Sequence, residues 1–181
     1  VGRQRELELL GERLAAARAG ESSALVIQGE AGAGKTALLD AAADRADGLR
    51  VLRATGLESE IDLAYAGLSE LLAPVIELRA AIPPPQRAAI ERALSLSDEG
   101  TADRFVVGAA LGSMLAEAAP VVCVIDDAHW LDTATLDAIR FAARRLANEG
   151  VALLIGTRTE LPPLATLSLL DLSDDAAAQL V

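Results

Sequence analysis

The chain has 181 residues, 52% of them apolar but only 2% aromatic, which is room for one α/β domain with an aliphatic core. A net charge of −11 and a pI near 4.5 exclude this segment as a nucleic-acid surface, which needs a basic stripe. The single cysteine, Cys123, excludes a disulfide framework, and a reducing cytoplasmic setting is expected.

The first helix follows residues 1–3 and carries Leu7, Leu10, Leu14 and Ala17 on one face before Gly20 ends it. It is charged, so no signal peptide is read there. Residues 24–28 form a short apolar strand. Next comes Gly29-Glu30-Ala31-Gly32-Ala33-Gly34-Lys35-Thr36, which fits G-x-x-x-x-G-K-[ST] at every fixed position. Residues 35–46 have helix-forming composition and stop at Gly48. Strand, glycine loop and helix N-terminus together predict an anion cradle, with backbone N–H groups and the helix dipole favouring phosphate. Lys35 is expected on the β/γ-phosphates, and Thr36 on Mg²⁺. Lys35 is also the only lysine among sixteen basic residues, the other fifteen being arginine. A compact ammonium suits this loop better than a planar guanidinium.

A second strand is predicted over 50–54. The long stretch 56–119 reads as an inserted helical module: helices over 61–78, 86–94 and 103–118, broken by Pro83-Pro84-Pro85 and a polar turn at 95–100. Residues 105–125 are apolar enough to suggest a membrane span, but Glu117, Pro120 and the aspartates that follow argue against one.

Pro120 introduces Val121-Val122-Cys123-Val124-Ile125-Asp126-Asp127, a run suited to a parallel strand buried on both faces. It delivers a carboxylate to the sheet's carboxyl edge, where such folds bind ligands. Asp126 is expected to hold Mg²⁺ opposite Thr36, and Asp127 to polarise the attacking water. Asp is one methylene shorter than the Glu often used as base, which predicts slow turnover. His129 and Trp130, each the only one of its kind, read as structural, with His129 donating a hydrogen bond and Trp130 packing on the sheet edge. Asp132 or Thr133 caps a helix whose Leu136, Ile139, Ala143 and Leu146 face inward.

Residues 151–156 form a fourth strand ending at Thr157 and Arg158, whose charge suits a γ-phosphate sensor or, equally plainly, a solvated arginine at a strand end. Arg144 and Arg145 read as dipole partners of a helix end, or as an arginine finger acting on a neighbour. A fifth strand is predicted over 167–172 and a last helix from Ser173. Alternating strands and helices predict a parallel three-layer α/β fold. Without a second lysine there is no Asn-Lys-x-Asp guanine motif, which tilts the base toward adenine. Opening on Val1 and closing inside a predicted helix, the chain reads as a piece of a longer protein. Three uses stay open: an ATP switch, a transferase using the same loop, and a scaffold that binds nucleotide without hydrolysis.

Val1-Gly2-Arg3-Gln4-Arg5-Glu6-Leu7, the glycine loop, Ile125-Asp126-Asp127-Ala128-His129-Trp130-Leu131-Asp132 and Gly156-Thr157-Arg158 together resemble the ATPase module of large ATP-binding LuxR-type transcriptional regulators. These are signal-transducing ATPases related to AAA+ proteins. The resemblance spans nearly the whole chain. It implies a P-loop NTPase fold of the AAA+-like ASCE class over 1–172, with 173–181 opening a helical lid. It implies ATP and Mg²⁺ as cofactors, held by Gly29, Glu30, Ala31, Gly32, Ala33, Gly34, Lys35, Thr36 and Ala37, with Val1, Gly2 and Arg3 on the adenine. Asp127, Lys35 and Arg158 would be catalytic, Arg158 as a sensor; Thr36 and Asp126 would hold the metal. Self-association is possible by the same resemblance, while DNA would be bound only through a C-terminal domain absent here. The output could equally be a fused cyclase or kinase.

Overall fold

The computed structural model describes residues 3–96 and 102–169. Helix α1, Gln4–Arg18, buries Leu10, Leu14 and Ala17 and leaves Leu7 only partly covered. It is followed by β1, Ser23–Gln28, then α2, Lys35–Ala43, which ends three residues short of the predicted 46. β2 is Arg50–Thr55, β3 Val121–Asp126, β4 Val151–Thr157 and β5 Ala165–Ser168. The β5 strand starts and ends earlier than the predicted 167–172; its last three predicted positions, and the helix expected from Ser173, lie outside the described residues.

All pairings are parallel, in the order β2-β3-β4-β1-β5. This is the three-layer P-loop NTPase architecture expected, and the period-2 alternation of the strands divides its two cores. Leu25, Ile27, Val122, Val124, Ala152 and Leu154 point to the α1/α2 side. Val26, Val121, Cys123, Ile125, Leu153 and Ile155 point to the opposite side.

That opposite side is roofed by the inserted module and by α6, Thr133–Ala143. The module contains α3, Ala66–Leu72, α4, Pro84–Ala93, and α5, Arg104–Ala118. The single helix predicted over 61–78 is not formed. Tyr65 takes a left-handed conformation just before α3, and residues 73–80 continue it as tighter 3-10 turns with a kink at Val75. Pro74 accounts for the change, because it lacks the N–H that would continue the α-helical bonding of α3. The inward face of α6 also differs from expectation: Ala134, Thr135, Ala138, Ile139 and Ala142 are buried, while Leu136, Ala143 and Leu146 are only partly covered. Small residues there admit close approach of α5, whose Gly108 leaves no room for a Cβ beside Phe141, since it would stand 2.7 Å from the Phe141 Cβ. The apolar stretch 105–125 is a helix and a strand, α5 and β3. Among the described residues no helix is long and apolar enough to cross a membrane.

Candidate nucleotide site

The carboxyl ends of β1, β3 and β4 come to one edge of the sheet, since Gln28 pairs with Thr157 and Ile125 with Ile155. The glycine loop leaves β1 at this edge. Gly32 and Gly34 take φ of +81° and +87°, values that favour glycine because it has no Cβ. Gly34 is the N-cap of α2 and offers no side-chain bond to it, so the first-turn N–H groups of α2 have no intrahelical partner. Lys35 is buried, 6% exposed. Its Nζ donates to Gly29 O and Glu30 O at 2.8 Å each, which folds the ammonium back over the loop.

β4 lies between β1 and β3, so Asp126 must reach across it to meet the loop. It does: Thr36 Oγ1 donates to Asp126 Oδ2 at 2.6 Å. Gly156 on β4 makes the reach possible, since a Cβ there would sit 2.8 Å from Asp126 Oδ1 and 2.9 Å from Leu39 Cδ1. The other carboxylate oxygen, Oδ1, accepts from Asp127 N at 2.8 Å. Asp127 itself is left-handed, φ 45° and ψ 43°, an uncommon conformation for a residue with a Cβ and one that clusters at functional sites. Gly56, just after β2, fits against this turn, because a Cβ would run into the Asp127 carbonyl oxygen.

A cavity of about 350 Å³ opens here, lined by Ala31, Gly32, Gly34, Lys35, Thr36, Ala37, Asp127 and Arg158. Arg158 follows Thr157, a fully buried residue whose Oγ1 accepts from Thr159 N at 3.1 Å and turns the chain. Arg3 docks beside the loop, donating to Ala33 O at 3.1 Å and pairing with Glu6. Val1 and Gly2 lie outside the described residues. Of the other expected loop residues, Glu30 is exposed and Ala33 is buried, its Cβ being 3.0 Å from where a Cβ on Gly29 would stand.

His129 departs from expectation. It donates no structural hydrogen bond; both ring nitrogens are buried without a partner. Its Nε2 lies 3.9 Å from Asp127 Oδ1, and its ring 5.2 Å from that of Trp130. Burial pushes the imidazole pKa down; the Asp127 charge opposes this, and Arg158 and Lys35 add to the lowering. Arg145, read as a dipole partner of a helix end or as an arginine finger, stacks its guanidinium 3.6 Å from the Phe141 ring centroid. The close packing of Gly56 against the Asp127 turn and of Gly156 against Asp126 was not part of the sequence reading, because it depends on which strands are neighbours, which the residues themselves do not display.

A family described as "AAA ATPase domain" matches residues 1–155. Among solved structures, a DNA replication initiation factor is 14% identical, covering 99% of this chain and 49% of that one, with a TM-score of 0.56. A Walker-type ATPase of Pyrococcus abyssi is 16% identical, covering 98% and 55%, with a TM-score of 0.49. The chain thus spans about half the length of the structures it matches. No curated protein matches. With the family match running through the glycine loop, Asp126 and the greater part of the chain, the chain belongs to the AAA ATPase domain family and is an ATP-binding P-loop module.

Proposed function

We propose that the chain is the ATP-binding, slowly hydrolysing switch module of a LuxR-type transcriptional regulator. The observation that carries this reading is the Thr36–Asp126 bond across β4, at the mouth of a cavity walled by Lys35 and Arg158. A hydroxyl and a carboxylate in contact beside an anion cradle are the oxygen donors a hard cation takes, so Thr36 and Asp126 fit Mg²⁺. When bound, the ion would neutralise phosphate charge and hold the triphosphate against the loop. Lys35 and the α2 amides bind the phosphates, and Arg158 faces them from β4. Asp127 draws a proton from the attacking water as the water oxygen bonds to the γ-phosphorus. The β–γ bridging bond breaks, with its electron pair leaving on ADP.

On this reading residues 1–172 form the ATPase unit and 173–181 open a lid, with residues 1–3 against the adenine. Moving a regulator from mostly off to mostly on takes about 5.5 kcal/mol of differential affinity, and γ-phosphate contacts of Lys35, Thr36 and Arg158 are the available source. DNA reading belongs to another domain of such a regulator. The test is Lys35→Ala, which abolishes ATP binding in calorimetry; unchanged affinity would remove the central claim. Asp127→Asn keeps binding and loses phosphate release. The short reach of Asp127 favours a second reading, a scaffold that binds ATP without turnover, and single-turnover hydrolysis decides between them.

A further inference from the structure

A cavity of about 420 Å³ lies where the start of α5, the face of α6 and the connection from β4 to β5 meet. Its volume falls in the range of small-molecule sites, about 300–1,000 Å³, and it shares no lining residue with the nucleotide cavity. Both phenylalanines of the chain stand in its wall, Phe105 and Phe141, with ring centroids 5.9 Å apart. Phe105 is 72% exposed, the most exposed large apolar side chain among the described residues. In a chain this poor in aromatics, a phenyl ring left in water forgoes burial that would stabilise the core. The charge around the rings also runs against the rest of the molecule. Arg104, Arg140 and Arg144 line the cavity against one carboxylate, Asp137, in a chain of net charge −11. Arg104 meets Asp137 only at 3.4 Å, and among the described residues no carboxylate pairs with Arg140 or Arg144. The dipole of α6 accounts for cations near its end, but Arg104 is the first residue of α5, the end where a cation is disfavoured. Helix stability therefore does not explain the set.

We propose that this cavity binds a small aromatic oxyanion, a carboxylate or phosphate ester carried on a flat ring. The anionic group takes the guanidinium forks of Arg140 and Arg144, whose paired N–H donors match a carboxylate or phosphate. The ligand's ring lies against Phe105, which gains the burial it lacks in the free protein. Phe141 is steadied from its own helix by the stacked Arg145 guanidinium, and Pro162 and Pro163 add an apolar rim with no N–H to satisfy. Both halves of the ligand are needed. A neutral ring leaves the arginines without a partner, and a bare anion leaves Phe105 in water.

The test titrates the full-length protein by calorimetry, without nucleotide, using 2-naphthoate, 2-naphthyl phosphate, the neutral 2-naphthamide and inorganic phosphate. Wild type and Lys35→Ala are run side by side, so that binding at the glycine loop is told apart. In both proteins at least one naphthyl anion should saturate a site with a Kd at or below about 1 mM, and the tighter of the two identifies the oxyanion. At that site the amide and inorganic phosphate should each bind at least about tenfold more weakly. Arg144→Gln and Phe105→Ser, both at exposed positions, should each weaken the naphthyl anion at least about fivefold with the melting temperature unchanged. Absence of saturable binding, an amide that binds as tightly as the anions, or wild-type affinity in both Arg144→Gln and Phe105→Ser overturns the proposal. So does a naphthyl anion that binds wild type but not a folded Lys35→Ala, because it then occupies the glycine loop. A protein that binds the naphthyl anion in this way and does not bind ATP sinks the nucleotide reading alone.

Discussion

Gly156 sits where β4 passes between the phosphate loop and Asp126, and the site depends on its missing side chain. A methyl group at 156 would press on Asp126 Oδ1 at 2.8 Å and on Leu39 at 2.9 Å. The carboxylate would have to leave Thr36, or the α2 face would have to shift. Gly156→Ala should therefore destabilise the fold by about 1–3 kcal/mol and weaken ATP binding more in the presence of Mg²⁺ than in its absence. Calorimetry with and without the ion, alongside urea unfolding, checks both effects; equal affinities would show that Asp126 is not the metal's holder. Cys123 supplies a second test at this scale. Full burial pushes its thiol up to about 12, so the native protein should resist alkylation at pH 8 and react only at its unfolding rate. The glycine loop was legible in the sequence because eight consecutive residues carry its whole chemistry. Gly156 was legible only as a strand end, because its partners lie thirty residues before it in β3 and on α2.

The last aspartate of the Asp126–Asp132 run works on elements. Asp132 is 3% exposed and caps α6, accepting from Thr135 N at 2.9 Å and Thr135 Oγ1 at 2.6 Å. The same carboxylate accepts from Tyr65 N at 2.8 Å and Gly67 N at 3.3 Å, while Leu68 N donates to Thr135 Oγ1 at 3.0 Å. One buried charge thus fastens the start of α3 to the start of α6, and it holds the backbone of Tyr65 left-handed. Removing it would strand the donors of two helix ends. Asp132→Ala should cost about 3–5 kcal/mol, and Asp132→Asn less, both read from denaturant midpoints at constant slope. The N-cap was predictable from Asp followed by Thr and an apolar period. The link to α3 was not, since the sequence suggests one long helix there and gives no sign that Tyr65 would break it.

At the scale of the whole molecule, the alternation of strands and helices made the three layers readable, whereas the position of β4 between β1 and β3 was not. The edge that carries the glycine loop is one end of this sheet; at its other end a small polar latch joins the chain's two halves. Ser22, between α1 and β1, donates to Glu149 Oε2 at 3.0 Å, and Ser22 N donates to Ala147 O at 2.7 Å. Glu149 N and Val151 N donate back to Ser22 Oγ at 3.1 and 3.2 Å. Burial works to raise the Glu149 pKa, but the Ala147 N–H and the Ser22 hydroxyl outweigh it, and the carboxyl is held below its ordinary 4.5. A carboxylate depressed in the folded state binds fewer protons there than in the unfolded chain. Stability therefore rises with pH through the window between the two values. The contribution is fully present above the unfolded value and is lost as pH falls through the folded one. Glu149→Gln should lower stability at pH 7 by about 1 kcal/mol and flatten the acid limb of the profile. As pH falls through the lowered folded value, the variant and the wild type should converge. Urea unfolding from pH 7 down to pH 3 measures this directly, and a gap that stays constant across that range would mean that the carboxylate's charge contributes nothing to the latch.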